Sequence, residues 1–267
     1  MDLKLKGKRA LVTGSSTGIG EAIAKTLVAE GAYVVVHGLD KEKATRDMRD
    51  IAAINVNAFV ASGDLSTDVG ASHVAEAALS SLGGVDILVN NAGSYKVSTW
   101  GDATPKQWIE LYNINVVSGA RMVRLLVPQM KKSGWGRIIQ ISSGEATQPF
   151  RFMPDYAATK AAMVNMTVSL AKELAESGIT VNTISPGIIV TPALEKFYRQ
   201  MAANRGWGTN WEDIEKGVLR EILCNPVGRL GRVEDVADLV TYIASPLADY
   251  INGANFRVDG GSTACIN

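Results

Sequence analysis

The chain has 267 residues, with Lys plus Arg and Asp plus Glu at 27 each and a formal net charge of zero. Balanced charge argues against a nucleic-acid or anionic-membrane partner and leaves small molecules and further copies of the chain. No linker-like, repeated or low-complexity tract divides the sequence, so one α/β domain over 1–267 is expected.

Residues 1–9 lack the apolar core of a signal peptide, and no later apolar run approaches the ~20 residues of a spanning helix, which predicts a cytoplasmic protein. Cys224 and Cys265 read as free thiols. His37 and His73 have no Cys or carboxylate at metal-ligand spacing, so no metal is expected.

In chain order, strand patterns fall at 9–13, 33–37, 58–61, 86–90, 136–142, 180–185 and 255–258, with amphipathic helical stretches between them. The early strands are apolar throughout rather than alternating, as in a parallel sheet covered on both faces. The expected fold is a Rossmann-type doubly wound α/β sheet of about seven strands. Ligands of such sheets bind beyond the carboxyl ends of the strands, so the residues just after each strand carry the chemistry.

After the first strand comes Thr13-Gly14-Ser15-Ser16-Thr17-Gly18-Ile19-Gly20, and a helical run follows at once. Glycines there permit positive φ and close backbone approach, while a helix N-terminus offers unpaired N–H groups to a pyrophosphate. No Lys-Ser/Thr pair follows, so this is not a Walker loop. The same glycines also suit a tight turn with no ligand.

The second strand ends at His37-Gly38-Leu39-Asp40, where an adenosine ribose would be read. An acid there favours NAD and an arginine favours NADP. Neither is in place, Gly38 leaves room for a phosphate, and the balance leans slightly to NADP. Lys41 or Lys43 could supply a cation, although helix-start lysines are ordinarily solvated. After the third strand, Asp64-Leu65 places a carboxylate where an adenine amino group could be read. After the fourth, Asn90-Asn91-Ala92-Gly93 offers amides and small residues.

Ser143 follows the fifth strand, where its hydroxyl could stabilise a developing oxyanion, and Ser142 is the neighbour that points away. Tyr156 and Lys160 stand four apart on a helix and share a face, so their tips can converge. A nearby ammonium favours the phenolate and brings a phenol of pKa about 10 toward useful range. Tyr/Lys spacing and a post-strand Ser each arise often by chance; their joint placement with the glycine turn favours one site. Residues 191–227, with Trp207 and Trp211, interrupt the strand–helix rhythm and read as a substrate lid or, equally, as a surface helix pair.

With these motifs, the sequence resembles the short-chain dehydrogenase/reductase family in its compact one-domain form, near its 3-oxoacyl-carrier-protein reductase-like branch. The resemblance implies NAD(P)-dependent hydride transfer to or from a carbonyl or alcohol. It implies Tyr156 as proton donor or acceptor, Ser143 as the group that orients the reacting oxygen, and Lys160 as tuner of the phenol and holder of the nicotinamide ribose. Asn115, in a long helix begun by Thr104-Pro105, would position a relay water. Pro186, Gly187, Ile189 and Thr191 would contact the nicotinamide side, and 258–261 matches the family's closing strand and turn. A homotetramer, or a dimer, is implied as well. Two rival activities stay open: a nicotinamide-binding sensor without turnover, and a non-redox epimerase or dehydratase.

Overall fold

The computed structural model describes residues 1–54 and 57–265, apart from the side chains of residues 43, 47, 50 and 52. Seven strands form one sheet: β1 (Arg9–Val12), β2 (Tyr33–Gly38), β3 (Ala58–Ser62), β4 (Ile87–Asn90), β5 (Gly136–Ile141), β6 (Ile179–Pro186) and β9 (Asn255–Val258). Their spatial order is β3-β2-β1-β4-β5-β6-β9, and each adjacent pair is parallel. The order reverses between β1 and β4, which opens a crevice at the carboxyl edge.

Alternation explains why the strands are apolar on both sides. Val12, Val34 and Val36 enter a core with α1 (Gly18–Ala29) and α9 (Val233–Ala244). Leu11 and Val35 point the other way, into a core with α3 (Asp68–Leu82) and α5 (Ser118–Ser133). Residues one apart thus serve two helix layers, and neither face of the sheet can be polar.

Two features depart from the sequence reading. The helix that starts at Thr104-Pro105 is interrupted: α4 (Pro105–Tyr112) opens with a Thr104/Gln107 capping box, passes through a π turn at Asn113–Val117, and continues as α5. Two strands of two residues each, β7 (Ile189–Val190) and β8 (Gly231–Arg232), pair in parallel and are too short to leave a periodic signal. They also pair just outside the two ends of the segment expected at 191–227.

Between these two strands in the chain, α7 (Pro192–Arg205) and α8 (Trp211–Glu221) pack around a small core of their own, including Tyr198, Trp207, Ile214, Val218 and Leu230. Trp207 donates its indole N–H to Glu221 Oε1 at 2.8 Å, and its ring lies against Gly217. A Cβ on Gly217 would stand 2.4 Å from the Trp207 ring, so this glycine is required by close approach, not by φ. Gly217→Ala is expected to destabilise the helix pair by about 1–3 kcal/mol. Tryptophan fluorescence during denaturation measures this directly; an unchanged first transition would show that the ring yields freely.

Candidate active site

The glycine turn lies where β1 meets α1. Gly14 and Gly18 each hold φ +61°, a region that disfavours side chains, and Gly20 has no room for one. A Cβ at Gly20 would come within 2.4 Å of Gly14 O and 2.5 Å of Asn91 Nδ2. Thr17, the N-cap residue of α1, makes no side-chain cap hydrogen bond, so no Thr17 hydroxyl competes for the first-turn N–H groups. Such an end suits an anion.

The turn is braced from three directions. Asn91 Nδ2 donates to Thr13 O and Gly14 O, both at 2.9 Å. The backbone N–H groups of Asn91 and Ala92 both donate to Thr13 Oγ1 at 3.0 Å. His37, buried at the end of β2, accepts Gly14 N–H at Nδ1 (2.9 Å), and its Nε2 lies 3.0 Å from Gly63 O. That pattern demands the neutral Nε2–H tautomer, and burial lowers the His37 pKa in the same sense. Sequence reasoning considered this histidine only as a metal ligand and missed the brace. A side chain at the tip of β2, one strand from the glycine turn, was the available signal.

Gly38 is closely packed: a Cβ there would lie 3.2 Å from Ala44 Cβ and 3.4 Å from Ser16 Cβ, while Leu39 is 75% exposed. Asp64 is exposed; hydrogen bonds from the Ser66 hydroxyl and, at 2.9 Å to Oδ1, from Ser66 N–H hold its pKa below the usual carboxylate range. The neighbouring Leu65 is buried in the α3/α5 core. Lys43, weighed above as a cation, has its side chain outside the described residues.

Past β4, Gly93 brings the backbone beside the other polar groups: a Cβ there would stand 3.2 Å from Asn115 Oδ1 and 3.6 Å from Lys160 Nζ. Asn115 sits in the π turn, buried, with its carboxamide engaged at both ends. Its Oδ1 accepts from Ser94 N–H (2.8 Å), and its Nδ2 donates to Ser94 O (2.9 Å) and Thr159 Oγ1 (3.0 Å). These bonds lock segment 92–94 to the helix that carries Tyr156.

That helix, α6 (Pro154–Glu173), begins after Met153, whose φ of +61° turns the chain into it. Tyr156 and Lys160 thereby fall in its first two turns, facing the end of β5. The Tyr156 hydroxyl hydrogen-bonds Ser143, and its ring meets Tyr95 edge-on at 5.9 Å. Ser142 Oγ donates to Lys160 O at 2.8 Å, away from Tyr156, as expected.

One electrostatic expectation is corrected. Burial pushes the Tyr156 phenol up to about 12; the Ser143 hydrogen bond pulls it down, and Glu145 and Tyr95 add to the rise. Lys160, buried, donates from Nζ to Ile141 O at 2.9 Å and lies 5.5 Å from the Tyr156 ring centroid. Its own pKa is pushed down to about 8 by burial. Desolvation outweighs the charge that was expected to tune the phenol.

A cavity of about 530 Å³ connects these parts, lined by Ile19 of the glycine turn, Ser143, Tyr156, Pro186, Gly187, Ile189 and Thr191. Thr191 caps α7 by accepting Leu194 N–H at 3.3 Å, and its methyl would lie 3.1 Å from a Cβ on Gly18. The glycine turn and the tyrosine hydroxyl therefore open on one space. Glu145, on the same wall, was not foreseen.

Comparison with known proteins gives the same picture. The family model "short chain dehydrogenase" matches residues 8–202. The D-beta-hydroxybutyrate dehydrogenase of Rhizobium meliloti is 36% identical over 261 residues, covering 96% of this chain and 99% of that protein. The L-sorbose reductase of Gluconobacter frateurii, solved with NADPH and L-sorbose, superposes with a TM-score of 0.94 at 34% identity, covering 100% of both chains. A 7 alpha-hydroxysteroid dehydrogenase, solved with NADH and 7-oxo glycochenodeoxycholic acid, gives a TM-score of 0.86 at 34% identity over 100% of this chain and 98% of its own. The chain belongs to the short chain dehydrogenase family and is an oxidoreductase that transfers a hydride between NAD(P)(H) and a carbonyl or secondary-alcohol carbon.

Proposed function

We propose that Tyr156 donates a proton to the carbonyl oxygen during reduction and removes it from the alcohol during oxidation. The observation that carries this is its hydroxyl, hydrogen-bonded to Ser143 on a cavity that also reaches the glycine turn. A bound nicotinamide supplies or accepts the hydride. Ser143 holds the reacting oxygen, and its hydrogen bond favours the charge that develops there. Lys160 supplies a buried positive charge beside the phenol and a donor for the cofactor ribose. Asn115 acts as a positioning residue, holding segment 92–94 against α6.

The glycine turn fits a dinucleotide. Its backbone leaves no space for side chains at Gly14 and Gly20, and the start of α1 lacks a side-chain cap. Ser16, Thr17, Gly18 and Ile19 hold the pyrophosphate, while Gly38, Leu39, Asp64 and Leu65 flank the adenosine. Asn91, Ala92, Gly93, Pro186, Gly187, Ile189 and Thr191 line the path toward the nicotinamide. For the cofactor itself, the absence of an acid at Gly38 and Leu39 leans slightly to NADP over NAD, although Gly38 is packed against Ala44 and Ser16 and offers no added room for a phosphate. Gly20→Ala is expected to weaken cofactor binding by about tenfold or more, equivalent to roughly 1–3 kcal/mol of turn distortion. Titration calorimetry with NADP⁺ and NAD⁺ reads both points, and tighter NAD⁺ binding by wild type reverses the preference.

The reading extends to one nicotinamide-binding domain over 1–267, with 191–227 as its substrate cover. A homotetramer, or a dimer, is supported by a groove between α5 and α6 in which Val123, Val127, Met166 and Leu170 are flanked by Arg124, Lys131 and Glu173. Among the described residues Cys224 and Cys265 form no disulfide, which supports a reducing, cytoplasmic compartment. Among the described residues, no helix is long and apolar enough to cross a membrane. The activity is tested by stoichiometry: consumption of reduced nicotinamide must equal alcohol formed across a panel of ketones. Binding of NADPH without any oxidation would favour a sensor, and turnover without net cofactor change an epimerase or dehydratase.

A further inference from the structure

The cavity beside Ser143 and Tyr156 is walled mainly by apolar side chains, among them Val97, Phe150, Phe152, Leu194, Phe197 and Met201. Several of its polar groups already have partners. Thr191 Oγ1 accepts from Leu194 N–H, and Gln148 Oε1 accepts from Ala264 N–H at 2.7 Å. Ser143 and Tyr156 hydrogen-bond each other and take the reacting oxygen in the reading above.

Glu145 is the one carboxyl on this wall, and it is only 8% exposed. Its Oε2 accepts from Phe150 N–H at 3.1 Å, and among the described residues no protein donor engages Oε1. An acceptor oxygen that faces an otherwise apolar cavity offers a place for a ligand donor. The residue is also placed rigidly. Ser143 Oγ accepts Glu145 N–H at 3.2 Å, so the carboxyl is anchored two residues from the hydroxyl that holds the reacting oxygen. Its charge is felt at Tyr156. A ligand group that reaches Glu145 therefore sits close to the reacting carbon, not at the remote end of the cavity.

We infer that Glu145 accepts a hydrogen bond from a substrate hydroxyl next to the reacting carbonyl, so that the substrate is an α-hydroxyketone, or the matching vicinal diol, with an otherwise apolar body. The inference rests on Ser143 and Tyr156 holding the carbonyl oxygen. A polyol would set its further hydroxyls against Phe150, Phe152 and Phe197. A simple ketone would leave Glu145 facing hydrocarbon. Comparison does not select between substrates, since relatives named for a sugar, a hydroxy acid and a steroid match at 34–36% identity.

Three matched probes test this with wild type and Glu145→Gln: hydroxymethyl pentyl ketone, its methyl ether, and methyl pentyl ketone. Both kcat/KM and the dissociation constant, from tryptophan fluorescence with cofactor bound, are measured. Wild type is expected to prefer the hydroxyketone over the ether by about tenfold or more, because a site built to accept a hydroxyl rejects an analogue that cannot donate. In Glu145→Gln the amide can still accept Phe150 N–H but presents a donor to the ligand, so the hydroxy-to-ether ratio is expected to collapse toward one. Equal efficiency with all three probes in wild type, or a variant that lowers all three in proportion, overturns the inference while the oxidoreductase reading stands. Selective binding that Gln abolishes, with no hydride transferred to any ketone, supports the inference and sinks the catalytic reading.

Discussion

Tyr156→Phe is expected to lower kcat/KM for carbonyl reduction by about 10²–10⁴-fold, the contribution of a positioned general acid. The change removes one oxygen and keeps the ring, which stays edge-on to Tyr95. Cofactor affinity and melting temperature should therefore stay close to wild type. The wild-type pH profile carries further information. With its pKa pushed up to about 12, Tyr156 remains protonated throughout the neutral range, so the proton needed for reduction is present and its release depends on the nearby positive charge. Lys160, at about 8, is the group that titrates first on the alkaline side. Reduction should fall as pH rises through about 8, because the charge that favours the departing proton is lost there. Rapid kinetics at saturating cofactor measures this, and a variant that retains near wild-type turnover removes Tyr156 from the chemistry.

Much of the fold was legible because its signals are periodic. Seven short strand patterns, the early ones apolar throughout, mark the sheet, and the glycine turn after the first of them fixes the end where chemistry gathers. Ser143, Tyr156 and Lys160 were legible for another reason: residue type, spacing and position after a strand all agree. What stayed hidden depends on tertiary contact. Periodicity does not distinguish a π turn at Asn115 from continuous helix, and two-residue strands such as β7 carry no period. The brace from His37 to Gly14 spans 23 residues and joins two strand ends, so only the strand order reveals it. The expected lowering of the Tyr156 pKa failed because sequence places an ammonium nearby without reporting how deeply both groups are buried. Glu145 was overlooked because a carboxylate after a strand ordinarily faces water, and only the cavity shows otherwise.

Burial of Lys160 gives the second large expectation, a gain in stability when activity is lost. Its folded pKa of about 8 lies below the ordinary value of 10.5, so between these limits the unfolded chain binds more protons than the native one. Wild-type stability should therefore rise as pH rises from about 8 to 10.5, and below that window the native state bears the full cost of a buried ammonium. Lys160→Met removes this cost and keeps the volume. It also leaves Ile141 O without its 2.9 Å donor, a loss of about 1 kcal/mol that offsets part of the gain. The net effect at neutral pH is expected to be a stabilisation of about 1–3 kcal/mol, alongside a loss of turnover of about 10²-fold or more. Denaturant titrations at pH values on both sides of 8 measure it: the wild-type slope with pH should be absent in the variant. A variant that is less stable at neutral pH, with the slope retained, would show that Lys160 serves the fold through Ile141 and that its charge carries no strain. The expected outcome instead identifies a site where stability is sacrificed for function, because the ammonium is kept beside the phenol although the fold alone would be better served by an apolar side chain.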